Sequence, residues 1–184
     1  ANDKWFGADH HLAHRPVREQ EKADGHAVKA MYLYSAVADV VKEGLDTDGS
    51  LERAMNRVWK NMTERRMYIT GGIGSQGYAE RFTVDDDLPP DRGYLETCAA
   101  VGVCFWAVRL LRLYREARYA DILERALYNG VLAGWSLDGD AYFYTNPLHY
   151  KRTVSDYRED CRHLENGRQK WFRCACCPSN VLRL

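Results

Sequence analysis

Neither sign of charge is in excess in this chain of 184 residues: Lys and Arg together number 26, and so do Asp and Glu. Without a basic field nothing draws in a phosphate backbone, so nucleic acid is not an expected partner. Long apolar runs are scarce too. The longest, Ala99 to Leu111, is broken by Gly102 and Arg109 and falls short of the ~20 residues that span a bilayer, so no membrane segment is expected. The opening Ala1-Asn2-Asp3-Lys4-Trp5 has neither an initiator Met nor the basic, apolar and small-residue order of an export signal. At the other end, Pro178 to Leu184 reads as the opening of a helix, because proline is tolerated in a first turn. The expectation is one partial domain over residues 1–184, truncated at both ends.

What the chain does have is core-forming material, 46% hydrophobic residues against 28% charged. It also has six cysteines, four of them late: Cys161, Cys174, Cys176 and Cys177. Adjacent cysteines rarely bond to each other, so metal binding or catalysis is a better expectation than three disulfides. Thiols kept free for chemistry suit a reducing compartment, and a cytoplasmic location is expected on that ground. Self-association is left open.

Apolar residues recur at helical spacing from Gly25-His26 to Glu43, with Gly44 as a stop. Ser50 is placed to cap a second helix carrying Leu51, Ala54, Val58, Trp59 and Met62. A third run, about Thr97 to Tyr114, and a fourth, about Ala117 to Leu132, repeat the hairpin. Between the pairs, Tyr68 to Gly93 is rich in Gly, Asp and Pro and reads as a long functional loop. Ala141 to Thr145 reads as a short strand or hairpin arm, and Lys151 to Lys170 as a charged, solvent-facing loop. The fold class is all-α, and helix pairs with long loops suit a bundle, a solenoid or an α/α barrel.

Chemistry concentrates in three places. Cys174-Ala175-Cys176-Cys177-Pro178 puts three thiols ahead of a predicted helix, where free N–H groups favour thiolate. In Glu96-Thr97-Cys98 the two ligand types stand two residues apart; they can share one ion only if the chain is extended there or a helix begins between them. With Cys176 and Cys177 they supply three sulfurs and one carboxylate oxygen, a set that zinc accepts in tetrahedral array. The sequence leaves open which two of Cys174, Cys176 and Cys177 would face the ion. The third place is Glu80 in the glycine-rich loop, by itself one more surface glutamate. Glycoside hydrolysis normally uses two carboxyl groups, one to protonate the leaving oxygen and one to attack; a thiolate can take the attacking role.

Several segments together resemble glycoside hydrolase family 127, the β-L-arabinofuranosidases. They are Pro16 to Gln20, Gly25 to Tyr32, Tyr68 to Ser75, Glu96 to Ala99, Glu124 to Gly130 and Cys174 to Pro178, in order along nearly the whole chain. The resemblance implies part of an (α/α)6 barrel with long loops and a short β-hairpin, acting with retention on terminal L-arabinofuranose. It implies zinc on Glu96, Cys98, Cys176 and Cys177, with Cys176 as nucleophile and Glu80 as acid and base. His26, Tyr144 and Glu124 fall where family members contact the sugar. The chain departs from the pattern at Ala79, where the family usually has glycine before the glutamate, and Cys174 resembles a cysteine that is not a ligand. Two alternatives accompany this reading: a helical domain with a purely structural zinc that acts in binding, and the same barrel acting on another sugar.

Overall fold

The computed structural model describes residues 7–184; the opening Ala1–Trp5 stretch lies outside the described residues. Four helices build the core: α1 (Ala27–Lys42), α2 (Ser50–Arg65), α3 (Thr97–Tyr114) and α4 (Ala117–Ala126). Two short ones follow, α5 (Arg152–Ser155) and α6 (Cys176–Val181). α3 lies at the centre and packs most extensively on α1 and α4, with α6 against its N-terminal part. Gly102 is where α1 crosses α3: a Cβ there would stand 2.6 Å from Met31 Cβ, so only glycine allows the approach.

Apolar periodicity becomes an aromatic knot at this crossing. Trp106 of α3 stacks on Tyr34 of α1 at 5.0 Å and meets Trp59 of α2 edge-on at 4.9 Å. Trp59 in turn lies 5.4 Å from Tyr119 of α4. One ring from each of four helices therefore fixes their mutual positions, and such pairs add about 0.5–1.5 kcal/mol each beyond the area they bury. By length and apolarity alone α3 would suit a membrane span, contrary to the sequence expectation, with a mean hydropathy of 1.4 over its 18 residues; 61% of that window is buried inside the fold, as a core helix requires.

Helix ends follow local chemistry. Ser50, expected as a cap, is instead the first helical residue of α2, and Gly49 takes the cap position at φ +67°. The orphan N–H groups of Leu51 and Glu52 donate to Asp46, at 3.2 and 2.9 Å. Arg18 ties that turn to the preceding segment through Asp46 at 2.8 Å and Asp48 at 2.9 Å. The fourth helical run widens after Ala126 into a π-helical turn, Leu127–Val131, and ends in a tight turn, Leu132–Gly134.

Two sequence expectations change. No paired strand forms among the described residues; 141–146 makes isolated bridges because its backbone is divided among several partners. Tyr142 exchanges both hydrogen bonds with Gln169, Phe143 donates to Gly134, Tyr144 accepts from Thr97, and Asn146 donates to Leu95. Of the expected β-hairpin there remains an antiparallel Trp135–Tyr142 bridge, beside which Ser136 N–H donates to Ala141 at 2.8 Å. The charged stretch 151–170 is not wholly solvent-facing either, since Cys161 and Leu164 are buried beneath it.

Candidate active site and metal centre

The loop between α2 and α3 is folded tightly enough to aim side chains. Tyr68 N–H donates to Gly72 at 2.9 Å and Gly71 N–H to Tyr68 at 2.8 Å. Gly71, at φ +83°, lies so close to α4 that a Cβ would stand 2.9 Å from Ala126 N. Further along, Gln76 and Arg81 exchange backbone hydrogen bonds at 3.2 and 3.1 Å, closing a small loop with Glu80 at its tip. Ala79 and Glu80 both adopt positive φ, +61° and +49°. Consecutive left-handed residues with side chains are costly and persist where the surroundings over-determine them, a mark of functional loops.

His26 meets Glu80 from the start of α1. It occupies the cap position, its Nδ1 accepting the Val28 N–H at 3.2 Å. That bond leaves the neutral ring's proton on Nε2, which lies 2.9 Å from Glu80 Oε2. The other carboxylate oxygen, Oε1, accepts the Tyr94 hydroxyl at 3.0 Å. The His26 hydrogen bond, reinforced by that of Tyr94, holds Glu80 below the usual carboxylate range against the opposing effect of burial. Burial pushes the Tyr94 hydroxyl up, and the Glu80 charge adds to it.

Glu96 and Cys98 meet the geometric condition set by their spacing. Glu96 is the extended residue before α3, at φ −59° and ψ 137°, and the helix begins at Thr97 between the two ligands. Leu95 just before it has φ +42°, so this side chain too is aimed by strained backbone. Across from it, α6 opens with Cys176 and Cys177, while Cys174 is exposed and outside the group. The ligand atoms of Glu96, Cys98, Cys176 and Cys177 all lie within 4.8 Å of one another. Cys98 and Cys177 sulfurs are 3.5 Å apart, Cys176 and Cys177 3.8 Å, and Cys176 Sγ lies 3.4 Å from Glu96 Oε1.

The electrostatics of this group are unbalanced in a way a cation would correct. Glu96 is 4% exposed, and its Oε2 is buried with no hydrogen-bond partner. Burial, then the nearby charges of Glu80 and Cys176, push its carboxyl well above the ordinary range. Cys176 moves the other way: hydrogen bonds from Cys177 and Cys98, joined by the Tyr144 hydroxyl at 3.1 Å, stabilise its thiolate against burial. Contacts with Cys176 and Cys177 raise Cys98, and contact with Cys176 raises Cys177. α6 has only six residues, and neighbouring thiols, more than the helix end anticipated from sequence, lower the Cys176 thiol. An orphaned buried carboxylate oxygen and three converging sulfurs fit a divalent cation, whose binding takes the remaining thiol protons.

The profile of the β-L-arabinofuranosidase catalytic domain of glycoside hydrolase family 127 matches residues 4–184. The chain belongs to that family. The chain is 47% identical over 172 residues to the non-reducing end β-L-arabinofuranosidase of Bifidobacterium longum subsp. longum, a match covering 94% of this chain and 26% of that protein. It is 50% identical to the crystal structure of a GH127 β-L-arabinofuranosidase from Geobacillus stearothermophilus T6, with a TM-score of 0.91, over 96% of this chain and 27% of that one. A second solved GH127 β-arabinofuranosidase is 43% identical with a TM-score of 0.83, over 95% and 25%. The chain thus spans about a quarter of the length of these relatives.

Of the residues singled out by sequence, His26 and Glu80 are brought together, as are Tyr144, Glu96, Cys98, Cys176 and Cys177. The rings of Tyr94 and Tyr144, 6.2 Å apart, link the two groups. Glu124 is exposed on α4 and is not among the four clustered ligands. Its motif also carries Ala126 and Gly130, which let the Gly71 turn and Ala100 of α3 approach closely. Sequence reasoning missed Tyr94, and it missed Asn180, which donates to Cys98 Sγ at 3.1 Å. Neither sits in a pattern that marks it; each is found only through contacts made by folding.

Proposed function

We propose that this chain carries the catalytic half-sites of a retaining glycosidase that releases terminal L-arabinofuranose from β-linked arabinosides. The observation that carries the reading is the Cys176 sulfur: half-buried, with its thiolate favoured by its neighbours, in a cluster of otherwise buried donors. A closed structural site would bury every ligand, whereas a reacting one leaves a face open to substrate. The helix pairs are read as part of an (α/α)6 barrel, whose loops at one end hold the sugar. All six cysteines are free thiols, which suits a reducing, cytoplasmic setting.

Zinc is the ion this donor set suits, since a tetrahedron with Zn–S bonds of about 2.3 Å has edges of about 3.8 Å, close to the sulfur spacings described above. When bound, it supplies positive charge that keeps the thiols deprotonated at neutral pH and steadies Glu96 as a carboxylate. The chain's own residues do the rest. Glu80, protonated, gives its proton to the leaving oxygen as the Cys176 sulfur forms a bond to the anomeric carbon and the glycosidic C–O bond breaks. Glu80, now a carboxylate, then takes a proton from water; the water oxygen attacks the same carbon, the C–S bond breaks, and configuration is retained. His26 and Tyr94 hold one carboxylate oxygen each and fix its direction; Tyr144 holds the sulfur. The His26 hydrogen bond, which holds the Glu80 carboxyl below the usual carboxylate range, opposes its role as acid and favours its role as base.

The experiment is hydrolysis of an aryl β-L-arabinofuranoside by the full-length protein, with the first-formed anomer read by NMR and metal measured by elemental analysis. Retention, with about one zinc per chain, is expected. Inversion would remove the Cys176 nucleophile, and protein purified without chelator that holds no zinc would remove the metal centre.

A further inference from the structure

The reaction outlined above uses Cys98 only as a ligand, yet a buried side-chain amide is aimed at its sulfur. It lies in the first turn of α3, 1% exposed. Asn180 of α6, 8% exposed, directs its amide nitrogen at this sulfur from 3.1 Å. The orientation of that amide is fixed from behind. Its Oδ1 accepts the Tyr32 hydroxyl at 2.6 Å and Arg183 Nη1 at 3.3 Å. A guanidinium has donors only, so the atom facing it must be the oxygen, and the NH2 group must face Cys98. Arg183 itself lies over the rings of Tyr32 and Phe105, at 5.9 and 5.7 Å, which holds the group together.

We infer that Asn180, oriented by Tyr32 and Arg183, is a positioning residue that donates an amide hydrogen bond to Cys98 and sets how tightly the four-ligand cluster grips its metal. The inference rests on the metal-thiolate reading of the proposed function. An N–H bond to a sulfur favours thiolate over thiol and fixes the ligand in place, which strengthens metal binding at neutral pH, while it draws charge from the sulfur and so raises the energy of its charge transfer to the ion. Cys98 and Cys176 are thereby made unequal: one sulfur is braced by a buried amide, while the other, besides its fellow ligands, meets a tyrosine hydroxyl and is partly open to solvent. Residues that support ligands in this manner typically change metal affinity about 10–100-fold when removed.

The test uses the full-length protein and two variants, Asn180→Leu, which keeps the volume without the amide, and Tyr32→Phe, which leaves Asn180 in place but frees it to rotate. Zinc affinity is measured by competition with a chromogenic chelator, and the cobalt-substituted protein supplies the thiolate-to-metal charge-transfer band. Asn180→Leu should weaken zinc binding about 10–100-fold, and Tyr32→Phe by a smaller factor in the same direction. In both, the charge-transfer band should move to lower energy, because a sulfur without its hydrogen bond is the stronger donor; loss of packing alone would leave the band in place. If Asn180→Leu does not fold, Tyr32→Phe decides. Wild-type zinc affinity and an unmoved cobalt band in the folded variants overturn the inference while leaving the metal site intact. A wild-type protein that takes up neither zinc nor cobalt overturns the metal reading and the inference with it.

Discussion

The aromatic knot and the sulfur-carboxylate cluster lie on the same helix, α3, and are built in opposite ways. Trp106 meets Tyr34 and Trp59, side chains from regular helices, in an apolar setting that needs no special backbone. Toward the N-terminal end, Cys98 and Glu96 meet groups carried by a six-residue helix and by loops with positive φ at Ala79, Glu80 and Leu95. One helix therefore serves as anchor at one end and as ligand platform at the other. The lesson is that the core can be rigid because it is locally relaxed, and it supplies the stability on which a strained site is held.

Two substitutions on either side of that division should separate chemistry from stability. The larger effect is expected from Cys176→Ser in the full-length protein: turnover should fall at least about 10^4-fold, as for other nucleophile deletions, while the melting temperature moves little. Steady-state kinetics with a parallel thermal melt reads both. Trp106→Ala should do the reverse, costing about 3–5 kcal/mol in denaturant unfolding while the folded molecules keep their kcat. If Trp106→Ala lowered kcat as steeply as Cys176→Ser, core and site would be one unit and the division would fail.

How much could be read from sequence follows the same line. Residues 97–114 repeat apolar side chains every three or four positions, so α3 was legible to both ends, and with it the condition that Glu96 and Cys98 flank a helix start. The cluster of cysteines was legible because few other roles gather thiols so closely. Glu80 was legible only through its neighbours, since its use depends on His26, 54 positions earlier, and on a left-handed turn that has Ala79 rather than glycine at its first position. Tyr94 and Asn180 gave no signal, because a tyrosine ahead of a helix and an asparagine within one are ordinary until folding sets them against a carboxylate and a sulfur. In the Glu124 motif the small residues Ala126 and Gly130 serve close packing, which a sequence pattern marks without saying why.

Between core and site runs a polar seam that should show as a pH effect of intermediate size. Arg66, at the end of α2, is buried and pairs with Asp85 at 2.7 Å and Asp24 at 2.6 Å, tying the helix to segments on both sides. Asn61, then Arg66 and Lys22, hold the Asp85 carboxyl well below the ordinary carboxylate range. A depressed folded value means the unfolded chain binds the proton first. The contribution is therefore complete above the unfolded value of about 3.9 and is lost as pH falls from there through the lower folded value. Asp85→Ala removes it at every pH and leaves the buried guanidinium short of a partner, a loss of about 2 kcal/mol at pH 7. Urea unfolding at pH 7 and below pH 4 checks this: the gap between wild type and variant should narrow in acid, and a gap independent of pH would assign the loss to packing.

The smallest effect is expected where the site's own strain can be relieved. Ala79 holds φ +61° and ψ 12°, a conformation that costs a residue with a Cβ about 1–2 kcal/mol and glycine almost nothing. Ala79→Gly removes that cost in the folded state but adds about 0.4–1 kcal/mol of freedom to the unfolded chain. The balance is a gain of roughly 0.5 kcal/mol, visible as a small rise in the denaturation midpoint. Because Glu80 is held from outside the turn, by His26 at 2.9 Å and Tyr94 at 3.0 Å, its direction should survive and kcat should stay near the wild-type value. Higher stability with unchanged kcat would mean that those two side chains, and not the alanine turn, aim the carboxylate. A fall in kcat with the same gain in stability would place the aiming in the strained backbone itself.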